Sequence, residues 1–436
     1  MISGFFSIDN LFLLVLNIII WIFTYWYVSK KYGRWSIGSI LILLYTLISL
    51  TLPYLYFSPN TSLYFINNLT LFPFIYLYIM LLISIRPLFN YSPKYISYIQ
   101  LPNQKYLNTI CFIFSFFSII SLIKIIPSLK EGMIGLILDS SSVADIYASS
   151  TYNRMNQSTN EGYNILSLLG NTSVTIIPFL FFIYLLQEKK SRLIMWLLTI
   201  SLLIPPLNGI AHASRLSIIS SFLIVIFLTF ALYPFFNMST RKKIKKGMIV
   251  VSSFFGIMFV LITVGRSSMS TQSSIFFGFM RYFAEGPIVF NNYCMDAGGT
   301  REGEYTFAFQ HILDRKSQPN ESELRERFSH LKIDSSRFYT YVGDFVLDYG
   351  PIIAAIIFVV IFLIVYNKTI IKKRTVSFSQ LILLYILIQY CCGFYQYQFS
   401  MKAGNLNLVV LLVMYFISKY LQGNYRNLFY KVNMDK

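Results

Sequence analysis

The chain has 436 residues and a formal net charge of +18, yet only 12% of its residues are charged, 56% are apolar and 18% aromatic, with mean hydropathy +0.59. Soluble domains carry about 25% charged residues, so this composition excludes a soluble globular enzyme, a disordered chain and a disulfide scaffold. In so apolar a chain, excess Lys and Arg marks cytoplasmic loops rather than a nucleic-acid surface, and no nucleic-acid partner is expected.

A membrane-crossing helix needs about 20 mostly apolar residues. About eleven segments meet that requirement: 8–28, 36–57, 66–85, 107–126, 163–187, 193–207, 209–236, 247–264, 344–367, 377–397 and 403–420. The predicted fold is an all-α polytopic membrane protein. The sixth segment is the weakest, because it is short and runs into Pro205-Pro206, where a kink or re-entry is expected. Five regions follow: spans at 1–126, an outer loop at 127–162, spans at 163–264, a large outer loop at 265–343 that is partly helical, and spans with a tail at 344–436.

Orientation follows from the basic residues near span ends. One set of alternate loops holds Lys30, Lys31 and Arg34, then Arg86, Lys94 and Lys105, then Lys189, Lys190 and Arg192. It continues with Arg241, Lys242, Lys243, Lys245 and Lys246, then Lys368, Lys372, Lys373 and Arg374, and the C-terminal tail. That side carries 22 positive and 2 negative charges. It is predicted to be cytoplasmic, with the N-terminus outside and the C-terminus inside. Residues 1–10 lack a basic n-region, so no removable signal peptide is expected. The four cysteines show neither a disulfide framework nor a zinc spacing, and no metal or cofactor motif occurs.

The outer side is where chemistry is expected. Long loops in compact proteins are usually functional, and His212, His311 and His330 all fall on this side. The large loop is rich in Phe and Tyr, so it should fold onto the membrane rather than stay disordered. Aromatic rings beside polar groups suit sugar binding, and equally an interfacial aromatic belt. Residues 273–292 are expected to form an interfacial amphipathic helix. Asn320-Glu321-Ser322-Glu323 resembles a capping box, with Arg325 and Arg327 on the solvated face of the helix it starts.

Three arginines at the outer membrane edge stand out. Arg215 opens an apolar run after His-Ala-Ser, Arg266 ends another in Gly-Arg-Ser-Ser, and Arg281 lies in Phe-Met-Arg-Tyr-Phe. An arginine near hydrocarbon is costly. Each is either a helix-end anchor that snorkels or part of an anion site, because guanidinium forks bind phosphate oxygens bidentately. Glu285, four residues after Arg281, is its expected helix partner. Asp344 and Asp348 are spaced to share one helix face. They serve either as a base towards a sugar hydroxyl or as partners of an arginine that locks the loop to the bundle. His311 is the other base candidate, or an incidental loop histidine.

At Ser214-Arg215, Gly265-Arg266, Arg281 and Asp344-Phe345-x-x-Asp348-Tyr349-Gly350, the chain resembles the Wzy-type O-antigen polymerases, the oligosaccharide repeat-unit polymerases. The likeness in architecture spans nearly the whole chain, with many Phe/Ile/Leu/Tyr-rich spans and two dominant outer loops. The family's commonest layout has an even span count, from which eleven departs. The resemblance implies a metal-independent, cofactor-free glycosyltransferase of the bacterial inner membrane with a GT-C-like fold and an active site facing the periplasm. It would polymerise undecaprenyl-diphosphate-linked oligosaccharide units for lipopolysaccharide or a related polysaccharide, alongside membrane lipid and a chain-length regulator. Arg215, Arg266 and Arg281 would bind diphosphate, and the base would come from His311, Asp344 and Asp348. The competing expectations are an O-antigen ligase and a flippase or transporter of lipid-linked oligosaccharide. Charges at span ends and the absence of visible repeats favour an enzyme over a transporter.

Overall fold

A computed structural model of the chain describes residues 8–58, 68–138, 142–156, 165–267, 275–307, 321–333, 337–425 and 429–433. Among the described residues, nine helices are long and apolar enough to cross a membrane. These are α1 (Ile8–Tyr32), α2 (Ile37–Tyr56), α3 (Leu71–Ile85, with the 3-10 turn after it), α4 (Gln104–Leu138), the pair α7 (Arg192–Leu202) and α8 (Ile204–Ala211), α9 (Arg215–Leu232), α10 (Met238–Ser267), α14 (Pro351–Thr369) and α16 (Met401–Asn424). Two shorter apolar stretches, Leu169–Leu185 within α6 (Ile165–Leu185) and α15 (Phe378–Cys391), cover the remaining predicted spans. The shorter non-spanning helices are α5 (Ser142–Asn156), α11 (Ile275–Val289), α12 (Glu321–Arg327) and α13 (Thr340–Tyr349).

The outward faces explain the composition. Leu11, Phe12, Ile19, Ile22 and Phe23 on α1 are exposed, as are Ile352, Ile353, Ile356, Val360, Leu363 and Ile364 on α14. Water would not tolerate apolar faces of that extent on a monomer, whereas a bilayer is the solvent they require. The chain is therefore a multi-pass helical membrane protein.

The helices divide into two compact units. The first holds α1–α3, α11–α14 and residues 389–405. Here α1 lies on α2, with the Trp21 and Tyr45 rings stacked at 5.3 Å. Asn10 donates to the Tyr56 hydroxyl at 2.9 Å and accepts from the Leu69 amide at 3.0 Å. Asn291 closes the same end by accepting from the Thr70 amide at 3.0 Å and donating to its carbonyl at 2.8 Å. These buried amides satisfy backbone groups at helix ends that water does not reach.

Helix α11 differs from its expected place on the membrane surface. Its second half is buried: Ala284, Ile288 and Val289 are inaccessible, and Pro287 faces a small cavity lined by Asn17, Trp21, Ser49, Leu77 and Tyr78. Gly286 makes this approach possible, because a Cβ there would lie 2.7 Å from the Phe394 carbonyl oxygen and 3.0 Å from Thr340 Cγ2. The helix ends in a π turn at Phe290–Cys294, a local form common at functional sites.

The second unit holds β1 (Tyr98–Pro102), α4–α10, β2 (Thr375–Val376), most of α15 and α16, and β3 (Phe429–Asn433). The structure is helical as expected, with one small addition, a three-stranded sheet in the order β2-β1-β3. Strand β1 runs parallel to β2 and antiparallel to β3, with Gln100 opposite Lys431. All three strands come from segments between or after spans, where the alternating side chains of Tyr-Ile-Gln-Leu-Pro suit a strand.

Other boundaries shift for local reasons. Helix α4 runs through Pro127 to Leu138 and α5 spans Ser142–Asn156, so the described residues of the loop predicted at 127–162 are helical. The weak sixth segment is stronger than expected. Leu203 only jogs the chain between α7 and α8, and the turn comes at His212–Ser214, after Pro205 and Pro206 have been absorbed in the first turn of α8. The predicted span at 344–367 breaks at Gly350, whose φ of +77° suits glycine, and Pro351 then opens α14. All four cysteines are free and buried.

Candidate functional site

In the first unit, Asp344 and Asp348 do share one helix face, and both point at a residue the sequence had not singled out. Arg301 Nε donates to Asp348 Oδ1 at 2.7 Å, and Nη2 donates to Asp344 Oδ1 at 3.1 Å and to the Asp344 carbonyl at 2.9 Å. All three side chains are almost fully buried. Asp348 Oδ2 accepts from the Tyr305 amide at 3.2 Å and from the Thr306 amide and hydroxyl, each at 2.7 Å. Asp344 Oδ2 accepts from the Tyr397 amide at 2.8 Å. Asp348 thus holds four donors, the full complement of a carboxylate, which leaves it no free site for a substrate proton, although burial outweighs Arg301 and raises the pKa of both Asp348 and Asp344 above the ordinary carboxylate value. Burial lowers the Arg301 pKa, but Asp348 and Asp344 outweigh it and hold it above the ordinary arginine value. The guanidinium also lies 4.1 Å from the centre of the Tyr305 ring.

This network ties the chain segment 301–306 to α13 and to the turn at 397. The backbone adds to it: the Arg301 amide donates to the Leu347 carbonyl at 2.7 Å, and the Met401 amide to the Tyr305 carbonyl at 2.7 Å. Helix α12 is attached in turn. Arg327 donates to Glu304 at 2.8 Å and to Glu302 at 3.2 Å, and Leu324, Phe328 and Leu331 pack with Tyr305 and Met401. Arg327 is exposed, as expected of a solvated face, and makes these tertiary contacts as well. Asn320 of the expected capping box lies outside the described residues, although the helix it would start is present.

Arg281 and Glu285 form the expected helix pair. Nε donates to Oε2 at 2.8 Å and Nη2 to Oε1 at 3.0 Å, with Arg281 about a third exposed at 31% and Glu285 buried. A second arginine, Arg337, brings Nη1 to 3.9 Å from the same Oε1. Neither its charge nor its spacing from Arg281 announced it in the sequence.

Arg215 and Arg266 belong to the second unit and border one apolar cluster there. Arg215 is the first residue of α9, directly after Ala213 and Ser214. Arg266 ends α10 with its guanidinium 3.4 Å from the centre of the Tyr147 ring on α5, a close cation–π contact. Tyr147 packs on the cluster of Val143, Ile210, Ala213, Ile218, Phe255 and Ile262. Gly265 is needed beside it, since a Cβ would come within 2.9 Å of Val143. Both arginines are half-buried.

The structure therefore brings Asp344 and Asp348 together, pairs Arg281 with Glu285, and places Arg215 and Arg266 around a separate cluster. His311 lies outside the described residues. His330 is exposed, with Nδ1 3.1 Å from the Arg327 carbonyl, and His212 ends α8. Among the described residues, no group of three His, Cys, Asp or Glu side chains is arranged to hold a metal ion. No known protein family, curated protein sequence or solved structure matches the chain.

Proposed function

We propose that the chain is a lipid-carrier-dependent glycosyltransferase that polymerises undecaprenyl-diphosphate-linked oligosaccharide units at the outer face of the bacterial inner membrane. The carrying observation is that partly exposed guanidiniums are held in place, Arg281 within its own helix by buried Glu285 and Arg266, at the end of α10, by the Tyr147 ring of α5. Transfer of a glycan from a lipid diphosphate requires stabilisation of the departing diphosphate, and preorganised positive charge is the usual means. Arginines supply it at any physiological pH and need no metal.

In this reading Arg215, Arg266 and Arg281 bind diphosphate. His311 takes the proton from the acceptor hydroxyl. Asp348, loaded with donors, and Asp344 position Arg301 rather than act as bases. The acceptor hydroxyl attacks the anomeric carbon of the donor glycan, the bond to the diphosphate oxygen breaks, and undecaprenyl diphosphate leaves. The architecture in this reading is a GT-C-like bundle with a chain-length regulator as partner.

The same reading has eleven crossings, with the basic loops in the cytoplasm. The sheet favours that count. Strands β1, β2 and β3 must lie on one side of the membrane, so an even number of crossings separates each from the next. Between β1 and β2 the long helices number five, and only with α6 do they become six. Between β2 and β3, α16 alone is odd, and α15 completes the pair. Impermeant maleimide labelling of cysteines placed at Tyr98, Lys373 and Tyr425 tests this. All three should label from the cytoplasmic side only.

The activity test is direct. Purified protein in nanodiscs is mixed with undecaprenyl-diphosphate-linked units, without nucleotide sugar and with EDTA. A ladder spaced by one unit is the expected product. Folded protein that makes no ladder, with or without divalent metal, refutes the polymerase. Transfer to lipid A core in its place would establish a ligase, and movement of the substrate across the bilayer a flippase.

A further inference from the structure

Two guanidiniums share one buried carboxylate at the start of α13. Glu285 engages Arg281 through Nε and Nη2, which turns Nη1 of that guanidinium away from the carboxylate. Arg337 stands 3.9 Å from the same Glu285, beyond hydrogen-bond range but within strong electrostatic reach. These three groups carry a net charge of +1, and the half-buried Phe338 follows Arg337 directly, packed on buried rings. Phe338 contacts Tyr282 at 5.4 Å and Tyr395 at 5.8 Å, and Phe283 lies parallel to Phe394 at 5.6 Å.

The backbone carrying Arg337 is held firmly. The Tyr339 and Thr340 amides both donate to the Tyr395 carbonyl, at 3.1 and 3.2 Å, and the Tyr341 amide donates to the Gly393 carbonyl at 2.9 Å. Thr340, fully buried, takes a φ of +71°. A β-branched residue rarely adopts that conformation, and such strain collects at ligand clamps and active sites.

We propose that Arg337 and Arg281 form a two-arginine clamp for a diphosphate, set in place by Glu285, with Phe338 beside the adjoining sugar. The inference rests on the polymerase reading for its substrate class, because donor and acceptor there each carry a diphosphate. The arginines fall into two groups to match, Arg215 with Arg266 in one unit and Arg281 with Arg337 in the other. Glu285 is a positioning residue. It fixes the Arg281 plane and draws Arg337 in, so that two forks present one set of donors to a ligand with oxygens on two phosphorus atoms.

The test uses full-length protein in nanodiscs of neutral lipid. Binding of farnesyl diphosphate and of farnesyl monophosphate is measured for the wild type, Arg337→Gln and Arg337→Lys. The wild type should prefer the diphosphate. Both variants should lose affinity for it at one class of sites by about tenfold or more, with a smaller change for the monophosphate, so the preference itself falls. A variant that is damaged only in folding would weaken both probes alike, and that result would overturn the clamp. Arg337→Lys keeps the charge without the fork, so wild-type diphosphate preference in that variant would also overturn it. Competition by phosphatidylglycerol nanodiscs as strong as that by farnesyl diphosphate would reassign the site to a membrane headgroup. Diphosphate preference lost in the variants while the wild type makes no polymer would leave the clamp standing and remove the polymerase. A ladder made at wild-type rate by Arg337→Gln would do the reverse.

Discussion

Replacing Arg301 by Met leaves Asp344 and Asp348 facing each other in a site that water does not reach. Arg301 makes three side-chain hydrogen bonds there, at 2.7, 2.9 and 3.1 Å, two of them to carboxylates. Methionine has comparable length and no charge. Removing one partner of a buried ionic network costs about 3–5 kcal/mol, because the remaining charge is stranded. The loss should appear as local opening of 301–306 and α13, where hydrogen-exchange protection should fall by about a hundred- to several-thousand-fold. Protection in α1 and α2 should be little changed. Adding Asp344→Asn and Asp348→Asn to Arg301→Met removes the stranded charges, and most of the protection should return, since neutral replacement of a whole buried pair is often harmless. Wild-type protection of α13 in Arg301→Met would refute this account of the network. So would a triple variant no better protected than the single one. The experiment also separates the two roles considered for the aspartates. A base can be lost without loss of local stability, whereas a strut cannot.

Arg215→Ala and Arg266→Ala should abolish polymer formation while the protein still reaches the membrane and elutes as wild type, and full activity in both would sink the anion-site assignment. Tyr147→Leu should weaken activity less than Arg266→Ala, because it removes the cation–π support but leaves the charge; equal losses would argue against a separate role for the ring. Gly286→Ala should destabilise the first unit by about 1–3 kcal/mol through overpacking against Phe394 and Thr340, read as a lower melting temperature in detergent, whereas Gly256→Ala, where a Cβ meets nothing within 4 Å, should be neutral or stabilising.

The spans were legible because a bilayer imposes a length and a composition that short-range patterns record directly. The i,i+4 relations were equally local: Arg281 did find Glu285, and Asp344 and Asp348 did share a face. What was not legible depends on contacts between distant segments. Arg301 lies 43 and 47 residues from its partners, and nothing in Gly-Thr-Arg-Glu distinguishes it from a solvated loop arginine. Arg337 is similarly plain in Ser-Ser-Arg-Phe. The sheet escaped notice because β2 has only two residues and is strand only by virtue of β1 beside it. Helix α11 was misplaced for a more instructive reason. Its amphipathic pattern is real, but the apolar side that would have faced lipid is covered by α2, and periodicity does not say which apolar surface a helix will find.

The buried Arg301 network makes little sense as a source of net stability. Three ionised groups taken out of water lose about as much hydration as they regain from one another, and a well-packed apolar substitute would often do as well. What the charges provide is a single permitted geometry. The two carboxylates accept donors from Tyr305, Thr306 and Tyr397 as well as Arg301, so the loop, α13 and the turn at 397 fit together in one register. An apolar contact could slip by a turn at small cost, but this one would strand a charge. Arg337 and Thr340 stand at the head of the helix thus fixed, where α11 packs against Thr340 at Gly286 and brings Glu285 to Arg337. The clamp inherits its precision from the network beneath it. On that account Arg301→Met should damage diphosphate binding at the clamp although Arg301 makes no contact with Arg281 or Arg337. The triple variant that restores protection should restore binding with it. Binding that stays lost while protection returns would mean that the charges act on the ligand directly, through the field they set up, and not by holding α13 in place.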